Sequence, residues 1–218
     1  MCTNFTPIQK PQWVKNAFGV DLPLGYAVET YPGFAAPILV QSRQTARMAC
    51  GLAKFGLIPA WAKDEKISRH TYNARSETVA EKPSYRSAWR QRQFGLVLVE
   101  NFFEPSYETG GAVRWRIGLS SGEPFGIACL WDRWTDPVSG ELVVSFSMLT
   151  VNADEHPVMK QFHKFGDEKR TPVIIAPELH STWLGASTES AVNLMSWQHM
   201  PPLIAEPAPA MPIARSEP

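Results

Sequence analysis

The order of apolar and polar positions along the chain predicts a series of short strands with a few short helices between them. Residues 36–41 (APILVQ) and 47–53 (RMACGLA) have the length and apolar content of strands. FGLIPAWA at 55–62 is interrupted by Pro59, which predicts a strand leaving the core into a loop. Over residues 79–92, Val79, Ala80, Tyr85, Ala88 and Trp89 recur at helical spacing, with Pro83 near a helix start. GLVLVENFFE at 95–104 is the clearest buried strand, an apolar run that ends in a carboxylate. VRWRIGLSS, PFGIACLWDRW and LVVSFSMLTV follow as strands, joined by turn-rich segments such as DPVSGE. Further on, a short helix is expected around 158–162, a strand at TPVIIA, and short helices at PELHSTWLG and NLMSW. The expectation is one α+β domain over residues 2–199, with a mainly antiparallel sheet. Residues 200–218 contain six prolines and several alanines and are expected to be a flexible tail.

Composition supports a self-sufficient core. The chain has 218 residues, 44% of them apolar, with eight Trp and 11 Phe, so no disulfide or metal staple is needed. Cys2, Cys50 and Cys129 show no CxxC or CxxH spacing, which predicts neither a zinc site nor a secreted disulfide framework. No apolar run approaches the roughly 20 residues of a membrane span, and MCTNFTPIQK lacks a signal-peptide core. A cytoplasmic monomer without metal, cofactor or membrane contact is therefore expected.

The net charge is zero, yet residues 66–92 carry seven Lys and Arg against two Glu, a local balance of +5. A solvated face accounts for this. So does a groove that tracks a nucleic-acid strand, because Trp61, Tyr72, Tyr85 and Trp89 accompany the cations, Arg86 among them.

Cys2 stands out among the nucleophiles. If Met1 is removed, an α-amine and a thiol lie on the same residue, with reference pKa values of about 7.7–8 and about 8.5. Such an amine condenses with an aldehyde to an imine, and the thiol then closes a five-membered thiazolidine, an intramolecular step. No internal cysteine can do this, although Cys2 also fits an incidental small residue. Cys50 and Cys129, inside strand-like runs, are expected to be inert core thiols.

The polar run from Tyr72 to Thr78 fits a surface turn. It also offers the Asn73 amide for an amine or hydroxyl, the Arg75 fork for phosphate, and the hydroxyls of Ser76 and Thr78. Glu104, beside Phe102 and Phe103, would have a raised pKa if desolvated and could move protons during imine formation. Strand parity puts Glu100 on the same face and does not choose between the two. His163, in KQFHKFGDEKR, can relay protons or sit in a charged surface loop.

In order along nearly the whole domain, the chain carries Met1-Cys2, Ala36-Pro37, FGLIPAW (55–61), NARSET (73–78) and Phe102-Phe103-Glu104. FGIACLWD, LTVNAD and His163 followed by Arg170-Thr171-Pro172-Val173-Ile174-Ile175 complete the set. In these features it resembles the SOS response-associated peptidase (SRAP) family, the abasic-site processing proteins. The resemblance implies an SRAP-like fold with a basic groove for single-stranded DNA. It implies a thiazolidine crosslink between a terminal Cys2 and a ring-opened abasic site, with the protein on the nucleoid when bound. Carried over, Asn73 positions the Cys2 amine, Glu104 shuttles protons, and His163 assists imine chemistry or reversal. Arg75, Trp61, Pro37, Ser76, Thr78, Arg86 and Arg170 then belong to the DNA path. The chain departs from the family pattern at Thr3-Asn4, where Gly-Arg is usual, at ENFFEP, and in the six residues between His163 and Arg170. Two other functions remain open: a thiol peptidase or self-processing hydrolase using Cys2, and a non-covalent single-strand binding module.

Overall fold

The longest apolar run becomes the central strand. In the computed structural model, which describes residues 2–208, that run extends to the 13-residue strand Phe94–Ser106. In chain order the strands are β1 (Asn4–Pro7), β2 (Ala35–Gln41), β3 (Met48–Phe55), β4 (Asn73–Arg75), β5 (Phe94–Ser106) and β6 (Val113–Leu119). They continue with β7 (Phe125–Thr135), β8 (Leu142–Asn152), β9 (Arg170–Pro172), β10 (Ile174–Ile175) and β11 (Leu203–Pro207). The helices are short: α1 (Pro11–Phe18), α2 (Arg86–Arg90), α3 (His180–Leu184) and α4 (Thr188–Leu194). The molecule is α+β, as expected.

In its first half β5 lies between β2 and β7, with Val97 opposite both Ile38 and Ile127. β7 pairs with β8, β8 runs parallel to β3, and β3 returns to β2, so five strands close a barrel. The other pairings are antiparallel except β4 with β8. In its second half β5 leaves the ring and is flanked by β1 and β6. This topology explains why the central strands read as unbroken apolar runs rather than alternating ones. One parity (Leu96, Leu98, Ala128, Leu130) packs under α-helical residues Val14, Trp89, Trp183 and Ala191. The other (Val97, Val99, Ile127, Cys129) packs with Phe55, Phe146 and Cys2, where no α-helix contributes, and so fills the barrel. Both faces are buried.

Several expectations change. The helix expected across 79–92 is confined to α2 at Arg86–Arg90. Upstream, Glu81 and Lys82 donate to the Thr78 carbonyl in turns, because Pro83 has no N–H and disfavours helical backbone at Lys82. TPVIIA divides into β9 on β8 and β10 on β7, with Val173 bridging Leu149 and Ala128. α1 was not expected, although Pro11 in its first turn and Gly19 at φ 70° mark its ends. Cys129 is buried, but Cys50 is only half-buried. The tail assigned to 200–218 is not wholly flexible. Residues 203–207 form β11 along the edge of β6, where Leu203 is buried and the ladder is completed. The rest of that segment, from residue 209, lies outside the described residues.

Candidate active site

β1 delivers the start of the chain to the far end of β5. Its register pairs Phe5 with Phe102 and Asn4 with Phe103, which carries residue 2 toward the end of β5 that bears Glu104. Cys2 is fully buried in the barrel cluster, and its thiol donates to the Asn4 carbonyl at 3.6 Å. Burial pushes the thiol pKa up strongly, and the charge of Glu104 raises it further.

Asn73 approaches from the other side. The polar run that fits a surface turn is in part strand β4, parallel to β8, with Asn73 opposite Met148. The Asn73 carbonyl accepts from Tyr85 Oη at 2.9 Å, which anchors the segment ahead of α2 to the site. Asn73 Nδ2 donates to the Cys2 carbonyl at 2.7 Å. Its Oδ1 is buried with no hydrogen-bond partner among the described residues, an acceptor in want of an N–H.

The choice between the two carboxylates is made by a bulge. The β1–β5 register slips between Thr6 and Pro7: Thr6 faces Asn101, Pro7 faces Val99, and Glu100 is left over. Glu100 accepts from the backbone N–H of Gln9 at 3.1 Å. Glu104 is 2% exposed, and desolvation raises its pKa from 4.5 to about 7.

His163 Nε2 lies 3.5 Å from Glu104 Oε2. Desolvation is the first cause that holds its pKa down, to about 4, so the ring is neutral at physiological pH. Its backbone is left-handed at φ 68°, unusual for a residue with a Cβ. Two contacts hold it there: His163 N–H donates to the Pro105 carbonyl, and Lys169 Nζ donates to the His163 carbonyl, each at 3.2 Å. Cys2, Asn73, Glu104 and His163 thus converge from four separate parts of the sequence.

The remaining residues divide by exposure. Arg75 is half exposed and pairs with Glu168. Arg170 is 2% exposed and gives its guanidinium to Glu77 in a bidentate pair, to Glu168 and to the Thr150 carbonyl. It faces inward, so its geometric role is to fix the lattice on which Arg75 rests. Ser76 and Thr78 are half-buried, and their backbone N–H groups bond the carbonyls of Thr150 and Arg75. Pro37 is buried within β2, opposite Leu52, rather than on an open surface. Trp61 is exposed and donates through Nε1 to the Pro83 carbonyl, and Arg86 is exposed at the start of α2.

Tyr85 and Arg114 are site neighbours that local sequence did not single out as such. Tyr85 reads as a core residue of a helical pattern or, with Trp89, as an aromatic of a strand-tracking groove, and the fold buries both in the core; Arg114 reads as one of two arginines in a strand. Among the described residues, no group of three or more His, Cys, Asp or Glu converges to hold a metal ion. No helix among them is long and apolar enough to cross a membrane.

The family model described as SOS response associated peptidase (SRAP) matches residues 1–213. The chain is 31% identical over 203 residues to abasic site processing protein YoqW of Bacillus subtilis (strain 168), covering 90% of this chain and 85% of that one. It is 23% identical over 174 residues to abasic site processing protein HMCES of Gallus gallus, covering 67% of this chain and 50% of that one. A crystal structure of a protein from Bordetella bronchiseptica superposes with a TM-score of 0.86 at 26% identity, over 96% of this chain and all of that one.

Proposed function

The chain belongs to the SOS response associated peptidase (SRAP) family, and on that premise we propose that it captures ring-opened abasic sites in single-stranded DNA through Cys2 after loss of Met1. The convergence of Cys2 with Asn73, Glu104 and His163 carries this reading. The relatives named above as abasic site processing proteins support it.

The chemistry follows from what each group can hold. The neutral Cys2 amine adds to the sugar aldehyde, forming the N–C bond while the carbonyl oxygen takes a proton. Asn73 Nδ2 pins the Cys2 carbonyl, and its buried Oδ1 is an acceptor for the amine N–H. The carbinolamine loses water when an acid protonates its hydroxyl. Glu104, with a pKa of about 7, can give that proton and take it back at neutral pH. The thiol sulfur then bonds the imine carbon, the C=N electron pair moves to nitrogen, and the thiol proton passes through Glu104 to that nitrogen. An aldehyde and an aminothiol give a thiazolidine and one water. His163, neutral beside Glu104, relays protons between the carboxyl and the sugar oxygen.

The raised thiol pKa favours this order over a thiol peptidase. A peptidase needs a thiolate at the outset, and both burial and the Glu104 charge oppose one. In the capture reaction the amine acts first. Arg75, Trp61 and Arg86 are exposed for the strand path in this reading.

Intact-mass analysis after incubation with an abasic single-stranded oligonucleotide tests the proposal. A heat-stable adduct is expected for protein lacking Met1, and none for Cys2→Ala. Cys2→Ser should give only an imine trapped by borohydride. No adduct with the wild type, or binding without one, overturns the reading in favour of a non-covalent module.

A further inference from the structure

A cleft of about 280 Å³ opens beside Glu104, lined in part by Thr3, Asn4, Tyr31, Phe103 and Arg114. Arg114 comes from β6, whose register sets it opposite Pro105 and next to the Glu104–Trp115 pair. Its guanidinium carbon stacks 3.4 Å from the centroid of Phe103. Nη2 donates to Asn4 Oδ1 at 2.6 Å, and Asn4 Nδ2 donates in turn to the Thr30 carbonyl at 3.2 Å. Nη2 also pairs with Glu29, which accepts from Tyr31 Oη. Both side-chain bonds therefore leave from one nitrogen. Nε and Nη1 have no hydrogen-bond partner among the described residues, although the side chain is only 27% exposed.

A cation held rigid against an aromatic face, partly desolvated, with donors unused at the mouth of a cleft, suits an anion. The cleft shares Glu104 with the reacting centre, so that anion is attached to the molecule being captured. We propose that Arg114 binds a phosphate ester of the sugar joined to Cys2, selecting phosphorylated sugar aldehydes, and hence nucleic-acid lesions, over simple aldehydes. A bidentate fork needs Nη2 together with Nε or Nη1, so the phosphate gains it by displacing Glu29 from Nη2. Glu29 is the counter-ion that the phosphate competes with. This role rests on aldehyde capture at Cys2 and adds to it a source of selectivity outside the basic segment 66–92.

The test compares adduct formation with 2-deoxyribose, 2-deoxyribose 5-phosphate and 2-deoxyribose 3-phosphate, followed by intact mass on protein lacking Met1. A charge-assisted contact predicts that at least one phosphate ester reacts roughly tenfold faster than the unphosphorylated sugar. That ratio should fall to about one in Arg114→Gln, be partly kept in Arg114→Lys, and rise in Glu29→Gln. Equal wild-type rates for all three sugars overturn the role of Arg114, as does a preference that survives Arg114→Gln. Should Arg114→Gln fail to fold, an unchanged ratio in Glu29→Gln overturns it. Absence of an adduct with any of the three, and with abasic DNA, removes capture at Cys2 itself and the phosphate role with it.

Discussion

Glu104 has a pKa of about 7 because it is buried, against an ordinary 4.5. The folded protein therefore binds a proton there more tightly than the unfolded chain. The resulting stabilisation is fully present below about pH 4.5 and is lost as pH rises through about 7. Glu104→Gln cannot ionise, so relative to wild type it should gain stability between pH 5 and pH 8. The full displacement corresponds to about 3.5 kcal/mol at about 1.4 kcal/mol per pH unit, most of it between those two pH values. Urea denaturation at the two pH values checks this, and an equal difference at both would refute it. The same variant should capture abasic DNA about 10²-fold more slowly, without the wild-type inflection near pH 7. His163 tests a separate property, since its left-handed φ of 68° is one that asparagine tolerates. His163→Asn should keep the midpoint of thermal unfolding within a few degrees while slowing capture or its reversal. A large loss of stability would mean that the ring serves packing.

Between elements, the close approach at Gly56 joins the barrel to the site loop. Gly56 sits just past β3 at φ 121°, and a Cβ there would lie 2.3 Å from the backbone oxygen of Ser68. No flexible side chain can yield to relieve that contact. Gly56→Ala should therefore cost about 3 kcal/mol or more, visible as a lower denaturation midpoint. The loop it would displace runs on through the short 3-10 helix Glu65–His70 into β4 and Asn73, so capture should weaken with stability.

Across the whole molecule, charge is balanced but unevenly distributed. Arg69, Lys82, Arg86, Arg90 and Arg92 are exposed within the +5 segment, and Tyr85 ties that segment to Asn73. Strand affinity should therefore depend on salt more than a net charge of zero suggests. Reversing Arg86 and Arg90 to Glu is expected to lower the second-order rate constant for capture about tenfold at low salt. The rate at saturating DNA should change far less, which separates binding from chemistry. Equal loss in both would assign α2 to the reaction itself.

Residue chemistry and local periodicity were available in the sequence. The apolar runs located β2, β3 and β5–β8, most clearly the first half of β5 and of β7, where burial on both faces needs apolar residues at successive positions. Cys2, Asn73, Glu104 and His163 could each be named for what their side chains can do. Their meeting could not be seen, because it depends on pairings between distant segments: β1 against β5, β4 beside β8, and His163 against Pro105. The bulge at Glu100 broke the parity that left two carboxylates equivalent, and burial turned Arg170 inward while β6 brought Arg114 to the site. Hydrogen-bond register across the sheet decides which groups share a cavity and which lose water, and that register is a property of strands far apart along the chain.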